Sequence, residues 1–286
     1  MKFRTNAVST PGTLLVTNEA GPPDGRCVVL SHPLMMGYRA FRALMEMLVA
    51  RGYRVVAWDH FGQGVHRPPR RLNPEVNLSV LTAHTIEVIT GLGLNKPHIV
   101  GQGLGAMVAL GVAAWRSDLV TSVTAIAGSV DAERHRKAVN ALADHVEHHG
   151  VAGEIDVDGT SVQVVDLLTR VSFGAWTRQN RPDFVSEWGE RYTELDRIAP
   201  SLRAYAERES LVGELLRGCD VPVLAVAGAQ DVLFPPAVSG EAVARATGGR
   251  WVTVEDAGHS VAQEQPEAVM KHLEQHFAAA DRPDEH

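Results

Sequence analysis

Residues 96–110 read KPHIVGQGLGAMVAL, with apolar runs on both sides of a cluster of glycines. A short apolar run at 98–100 leads into a glycine-rich corner, Gly101-Gln102-Gly103-Leu104-Gly105, and a run of small apolar residues follows it. The pattern predicts a buried strand, a sharp turn and a buried helix. Two kinds of site use such a turn: the dinucleotide-binding loop, G-x-G-x-x-G/A, and the nucleophile elbow, G-x-S-x-G.

The dinucleotide-binding interpretation finds little support in the rest of the chain. Gly101, Gly103 and Ala106 match its glycine pattern. That fold also needs an acidic residue about 20 positions further on, where it binds the ribose hydroxyls. The next predicted strand ends in AIAG at 125–128, without a carboxylate. The corner also comes after several predicted strands, whereas the dinucleotide loop usually follows the first strand of its domain.

The elbow interpretation fits the two outer glycines and departs from the pattern at the centre. Gly101 and Gly105 occupy the flanking positions, and Gly103 stands where the serine nucleophile would be. An elbow holds its central residue at positive φ, which glycine adopts without steric cost. The turn can therefore form, but acyl-enzyme chemistry through residue 103 is excluded because glycine has no hydroxyl group.

The amino-acid composition limits the kinds of binding partner and the cellular compartment that we expect for this chain. The chain has 286 residues, 45% of them hydrophobic, and a net charge of −7 without a long Lys/Arg block. We therefore expect a small-molecule substrate rather than nucleic acid or an anionic membrane surface. No apolar run approaches the roughly 18 residues of a membrane span, and Cys27 and Cys219 suit a reducing compartment. The expectation is a cytoplasmic protein without cofactor or metal, with a homodimer left open.

Strand and helix patterns alternate along most of the chain, which predicts an α/β fold with a mostly parallel central sheet flanked by helices. The predicted strands are the apolar runs at 13–17, 27–30, 53–58, 98–100, 120–127, 223–227 and 251–254. The alternation stops at 129–217, where the sequence is charged and helical and has no buried strand pattern. We therefore predict a core domain from 1–128 and 218–286, interrupted by an inserted helical lid at 129–217.

Several motifs occur in the order found in α/β-hydrolases. After the loop that follows Leu30 come D-x-x-G-x-G at 59–64, the corner at 101–105, GAQD at 228–231, and Gly258-His259 followed by EQPE at 264–267. Together they cover essentially the whole chain outside the predicted lid. The sequence therefore resembles the α/β-hydrolase superfamily, with a lid after the sixth strand as in its epoxide hydrolase and C–C hydrolase relatives.

The resemblance implies a role for individual residues. His259 corresponds to the triad base and Asp231 to the acid that orients it, in the order nucleophile, acid, base. The backbone N–H groups of Leu104 and Leu34 correspond to the oxyanion hole, although Pro33 beside Leu34 departs from the usual His-Gly. Simpler alternatives stay open, since a histidine can pack in a core and an aspartate can cap a turn.

Substrate contacts are predicted from side chains near the corner and in the lid. These are His32, Met36, Gln102, Trp176, Trp188 and Phe234. The alternative is that the aromatic and methionine side chains belong to the core, which is the commoner place for apolar residues at helical spacing.

Three function classes remain open from the sequence. The first is an enzyme that uses a His–Asp general base and a backbone oxyanion hole for lyase, cyclase or isomerase chemistry, or for water-mediated hydrolysis. The second is a serine ester or C–C hydrolase whose nucleophile is replaced by glycine in this chain. The third is a ligand-binding protein without catalysis, against which the His–Asp pair argues because a binder does not need it.

Overall fold

A computed structural model describes residues 1–10, 12–63, 77–130, 136–151, 153–192, 199–206, 216 and 219–282. Its centre is an eight-stranded sheet in the order β1-β2-β4-β3-β5-β6-β9-β10. Strands β3, β4, β5, β6, β9 and β10 run parallel, whereas β1 and β2 pair antiparallel at one edge. The eight strands are β1 Arg4–Thr10, β2 Thr13–Ala20, β3 Cys27–Ser31, β4 Arg54–Trp58, β5 His98–Gln102, β6 Ser122–Ile126, β9 Val223–Gly228 and β10 Arg250–Val254.

Helices cover both faces of this sheet, as the alternating pattern predicts. One face packs against α2 (Leu78–Gly91) and α3 (Leu104–Arg116), and the other against α1 (Arg42–Ala50) and α11 (Pro266–Ala280). Successive residues of a strand point to opposite faces. Val28 accordingly packs with the α1 and α11 side, and Val29 with the α2 and α3 side. The predicted fold class, α/β-hydrolase with a mostly parallel sheet, is confirmed.

The chain between β6 and β9 contributes no strand to the large sheet over the residues described there. The described residues of this stretch form five helices and a hairpin of two exposed strands, β7 and β8. The elements are α4 Arg136–His149, β7 Glu154–Val157, β8 Thr160–Gln163, α5 Val164–Ser172, α6 Ala175–Asn180, α7 Pro182–Tyr192 and α8 Ala199–Ala206. That this part acts as a lid stays a prediction, and residues 131–135, 152, 193–198, 207–215 and 217, which the prediction included, lie outside the described residues.

Three elements of the core differ from the sequence prediction. Strand β1 is absent from the prediction, because its alternating exposed positions at the sheet edge leave only Val8 and Thr10 buried. The helix predicted after Pro236 begins as a π-helical turn over Ala237–Ala242 and continues as α9, Val243–Thr247. A short helix, α10 (Val261–Glu264), also precedes α11. No helix in the described part of the chain is long and apolar enough to cross a membrane.

Two buried histidines lie at the end of the sheet opposite the elbow. His98 in β5 bonds through Nδ1 to the Ser122 hydroxyl at 2.8 Å and stacks on the ring of Phe277 at 4.1 Å. His276 on α11 donates through Nε2 to the Val123 carbonyl at 3.1 Å. Burial lowers the pKa of each imidazole from 6.5 to about 4, although Asp281 opposes the shift at His98.

We expect these two histidines to destabilise the fold in mild acid. The unfolded chain takes up their protons at about pH 6.5, whereas the folded chain resists protonation until about pH 4. Stability is therefore complete above pH 6.5 and falls as the pH decreases. Between pH 6.5 and 5 each histidine should remove roughly 2 kcal/mol from the free energy of unfolding. Denaturant titrations at pH 7.5, 6 and 5 measure this loss. His276→Gln, which keeps a donor for Val123, should make the loss smaller; an unchanged pH dependence would contradict the assignment.

Candidate active site

The elbow connects β5 to α3 and is shaped by its glycines. Gly103 has φ 55° and ψ −116° and precedes the first residue of α3. A Cβ on Gly105 would lie 1.9 Å from the Ser31 carbonyl oxygen, and a Cβ on Gly101 would lie 2.1 Å from the Gly105 carbonyl oxygen. Both outer positions therefore require glycine for steric reasons, since backbone atoms at these distances cannot give way to a side chain.

His259 and Asp231 form a hydrogen-bonded pair at the ends of neighbouring strands. Nδ1 of His259 lies 2.9 Å from Oδ2 of Asp231, whose side chain is completely buried. A carboxylate can only accept a hydrogen bond, so Nδ1 carries the proton and Nε2 of the neutral ring keeps its lone pair. The His259 side chain is 15% exposed, so its free nitrogen stays accessible to a small molecule.

The two interpretations of Asp231 turn out to be compatible. Its Oδ1 accepts the backbone N–H groups of Leu233 at 2.8 Å and Phe234 at 2.9 Å, as in an Asx turn. Its Oδ2 remains for His259. The turn therefore fixes the carboxylate, and the carboxylate fixes the imidazole. The Phe234 ring packs 5.4 Å from the imidazole, measured between centroids.

The histidine faces the central position of the elbow. A Cβ built on Gly103 would lie 3.2 Å from Nε2 of His259 and 3.5 Å from Cβ of Pro33. A side-chain hydroxyl at residue 103 would therefore be within hydrogen-bonding reach of the imidazole. The structure brings together Gly103, His259 and Asp231, the three positions that the sequence placed in a triad.

The two backbone groups expected in the oxyanion hole belong to Leu104, which follows Gly103 in the chain, and to Leu34, which follows Pro33. Leu104 is the first residue of the 13-residue helix α3, and the first N–H groups of a helix have no acceptor within it. Leu34 lies in a turn in which the Met36 N–H bonds the Pro33 carbonyl at 3.4 Å. Met35 has φ 73°, and its N–H donates to Oε1 of Gln63 at 2.8 Å. Gln63 thus holds the turn from the D-x-x-G-x-G loop, of which Gly64 lies outside the described residues.

Two residues predicted to contact substrate hold the framework instead. His32 is completely buried; its Nδ1 bonds the Pro33 carbonyl at 2.7 Å, and its Nε2 accepts the His60 N–H at 2.8 Å. Gln102 is also completely buried, and its amide bonds Gln263 at 2.8 Å and the Ala262 N–H at 3.1 Å. Each polar atom of these two side chains is bonded to another part of the protein. The local sequence gives no signal of these partners.

The other predicted substrate residues differ in their surroundings. Trp188 is buried in a small apolar cluster with Phe173, against which Met36 packs. Trp176 is 36% exposed, and its backbone N–H donates to Oε1 of Gln230 at 2.8 Å. Of this group, the structure brings only Phe234 into contact with the imidazole. Substrate contacts by Met36, Trp176 and Trp188 stay predictions.

Sequence reasoning assigned no role to Glu264, although the structure places its carboxylate next to the histidine loop. Its Oε1 accepts the N–H of Gly258, the residue before His259, at 2.8 Å. The sequence carries no signal for this role, because Glu264 lies in the polar run QEQPE at 263–267. Among the residues described, no group of three or more His, Cys, Asp or Glu side chains is placed to hold a metal ion.

Comparisons with known proteins agree with this architecture. The model of the Alpha/beta hydrolase family matches residues 28–272. BpoC of Mycobacterium tuberculosis, whose name describes a non-heme bromoperoxidase, is 25% identical over 239 residues, 81% of this chain and 85% of BpoC. RutD of Caulobacter vibrioides, whose name describes a carbamate hydrolase, is 30% identical over 126 residues, 44% of this chain and 46% of RutD.

Solved structures show the same fold at lower sequence identity. A thermophilic esterase from Thermogutta terrifontis superposes with a TM-score of 0.82 at 19% identity, covering 99% of this chain and 100% of the esterase. The enol-lactonase from Burkholderia xenovorans superposes with a TM-score of 0.80 at 19% identity, covering 96% of this chain and 100% of the lactonase. Since the family model spans most of the sequence, this chain belongs to the α/β-hydrolase family.

Proposed function

We propose that this chain is an α/β-hydrolase-fold enzyme that works without a serine nucleophile. His259 acts as a general base, Asp231 orients its ring, and the backbone N–H groups of Leu104 and Leu34 hold a developing oxyanion. The observation that carries the proposal is the approach of His259 Nε2 to the Gly103 position, 3.2 Å from a Cβ built there, while Nδ1 is bonded to Asp231. A base oriented in this way toward an elbow without a hydroxyl can act only on a bound molecule.

The proposed chemistry begins with proton transfer to Nε2 of His259. In one form the proton comes from an acidic C–H or O–H of the substrate, and the electron pair moves onto a carbonyl oxygen to give an enolate or phenolate. Protonation of another atom, or loss of a leaving group, then completes an isomerase, cyclase or lyase reaction. In the other form the proton comes from water, whose oxygen attacks a carbonyl carbon, and His259 returns the proton to the leaving group.

The start of α3 supports the stabilisation of negative charge in both forms. The first N–H groups of α3 have no acceptor within the helix, and the positive end of the helix dipole lies at the same end. That end of the helix is next to the elbow, where negative charge would develop. The aromatic ring of Phe234 beside the imidazole supports a small substrate with apolar or aromatic surface.

The intact hydrogen-bonded pair supports an enzyme over a protein that only binds a ligand. The Asp231 carboxylate accepts two backbone N–H groups and bonds the imidazole, so the orientation of the imidazole is fixed. Proton transfer requires such a fixed orientation, whereas ligand binding alone does not. The alternative, a serine hydrolase whose nucleophile is replaced by glycine, stays open. The Gly103→Ser variant tests it. The epoxide hydrolase and C–C hydrolase subtype also stays a prediction.

Solvent hydrogen exchange tests the proposed base whatever product the complete reaction forms. A panel of aryl ketones and esters with acidic C–H groups is incubated with the enzyme in D₂O, and deuterium uptake is followed by mass spectrometry. We expect uptake in at least one compound, on the order of 10²-fold above the buffer rate, the lower range for a positioned base. His259→Ala should reduce this uptake to background. Uptake that persists in this variant would contradict the proposed role of His259; a parallel incubation in H₂¹⁸O detects the hydrolytic form.

A further inference from the structure

One buried carboxylate links the histidine loop to the helical segment between β6 and β9. Glu264, the last residue of α10, is 2% exposed. Its Oε1 accepts the N–H of Gly258 at 2.8 Å, and its Oε2 accepts the N–H of Gly174 at 2.8 Å. Gly258 immediately precedes His259, whereas Gly174 lies between α5 and α6. The two oxygens of a single side chain therefore hold two separate backbone segments together.

The segment around Gly174 makes further bonds to the residues that flank the His–Asp pair. The Ser260 N–H donates to the Ser172 carbonyl at 2.8 Å, on the other side of His259. The Trp176 N–H donates to Oε1 of Gln230 at 2.8 Å, and Gln230 immediately precedes Asp231. Residues 172–176, which we call the clamp segment, are therefore bonded next to both members of the pair.

The two backbones approach so closely that small residues are required between them. A Cβ on Gly258 would lie 2.3 Å from the Gly174 nitrogen, so any side chain there would separate the clamp segment from the histidine loop. A carboxylate that accepts two backbone N–H groups fixes their positions more firmly than apolar packing, because such charge-assisted bonds are short and directional. A shift of the clamp segment would therefore be transmitted to His259.

The burial of Glu264 has an energetic cost that the local contacts offset. Removal from water raises the pKa of this carboxyl above its usual range, and the Thr177 side chain and the N–H groups of Gly174 and Gly258 oppose the shift. No ion pair to this carboxylate occurs in the described part of the chain, although the Arg181 guanidinium donates to the Glu264 backbone carbonyl at 3.0 Å. An apolar residue at this position would leave the buried N–H groups of Gly174 and Gly258 without an acceptor. The carboxylate therefore serves to bind these two backbone groups rather than to fill space.

We propose that Glu264 is a positioning residue that holds His259 toward Gly103 and couples it to the clamp segment. This inference rests on the proposed function, because it explains how the base keeps its orientation. Movement of residues 172–176 away from the core would release Gly258 and misplace the imidazole. The clamp segment and the base would thus be ordered together, and the base would be oriented only while the segment is in place.

The Glu264→Gln variant tests this proposal through the His259 imidazole itself. Glutamine has the same size, but one of its two terminal groups is a donor and would face an N–H, so the bond to either Gly174 or Gly258 is lost. The readout is the Nδ1 proton of His259 in ¹⁵N-histidine-labelled protein, assigned by its absence from the spectrum of His259→Ala. We expect this proton to exchange with solvent about tenfold faster, as follows from the loss of one hydrogen bond to a charged group.

Two further variants separate positioning from general stability. Glu267→Gln makes the same chemical change at an exposed position three residues further on and should leave the exchange rate unchanged. Gln230→Met removes the acceptor for the Trp176 N–H and leaves Glu264 unchanged. We expect the Nδ1 proton of His259 to exchange faster in this variant too. Gln230→Met also keeps the proposal testable if Glu264→Gln does not fold.

The outcomes distinguish this inference from the proposed function. A Glu264→Gln protein that loses thermal stability while the Nδ1 proton exchanges at the original rate would show a purely structural role and overturn the proposal. If Glu264→Gln does not fold, an unchanged rate in Gln230→Met would overturn it. The measurement needs no substrate, so it reports on the position of His259 even if His259→Ala later proves to have no effect on turnover.

Discussion

Gly103→Ser is expected to become covalently labelled by a serine-directed fluorophosphonate, whereas the unmodified chain keeps its mass. The backbone at residue 103 has φ 55°, and a Cβ there lies 3.2 Å from Nε2 of His259. A serine hydroxyl would therefore meet an oriented base beside the N-terminus of α3, which is the arrangement that activates such a nucleophile. The new side chain has costs: about 1–3 kcal/mol for positive φ at a non-glycine residue, and a shift of the imidazole by a few tenths of an ångström.

Intact-mass spectrometry measures the labelling, and an activated aryl ester measures turnover. We expect a gain in ester hydrolysis on the order of 10²-fold or more over the unmodified chain, because an acyl-enzyme route becomes available. Gly103→Ala controls for the steric change, and the double variant Gly103→Ser/His259→Ala should lose the gain. A folded Gly103→Ser protein that is neither labelled nor active would mean that the base and the oxyanion hole do not act together at this position.

The second large effect is expected at the base. His259→Ala should reduce the turnover of a substrate identified by solvent exchange by about 10²–10⁴-fold, the usual contribution of a positioned acid or base. Asp231→Asn should cost less than this or about as much. Its amide nitrogen would donate where Oδ2 now accepts from Nδ1, which favours the tautomer with the proton on Nε2 and removes the lone pair from the reacting position.

Substrate affinity measured on the same variants separates catalysis from binding. Both changes leave the elbow backbone and the helical segment after β6 in place, so affinity should change little while turnover falls. His148→Ala, an exposed histidine on α4, provides a matched control that should change neither. Unchanged turnover in His259→Ala with the substrate still bound would remove the pair from the mechanism. A chain with ligand affinity and no turnover in any form would favour the ligand-binding class.

Local sequence patterns were sufficient for most of the fold because strands and buried helices depend on apolar periodicity. The corner at 101–105, the strand β5 before it, the helix α3 after it and α2 follow from such patterns. The exceptions are elements whose formation depends on neighbours. Strand β1 forms by pairing with β2 at an exposed sheet edge, and the hairpin of β7 and β8 is exposed along its length. A pattern of buried residues cannot predict strands that are scarcely buried.

The identity of residue 103 alone excludes it as a nucleophile, since glycine has no reactive side-chain atom. The strand patterns before 228–231 and 258–259 likewise predict that both segments follow strands of one sheet. Which polar side chains face the reacting position and which hold the framework depends on the folded arrangement of the chain. His32 and Gln102 lie next to the site in sequence, yet burial requires each of their polar atoms to find a protein partner, and the folded chain supplies it. Glu264 lies five residues beyond His259, but its carboxylate joins Gly258 to Gly174 across 84 residues of chain. That contact arises only when the strands bring the two loops together, because no local pattern encodes the partner of a buried charge.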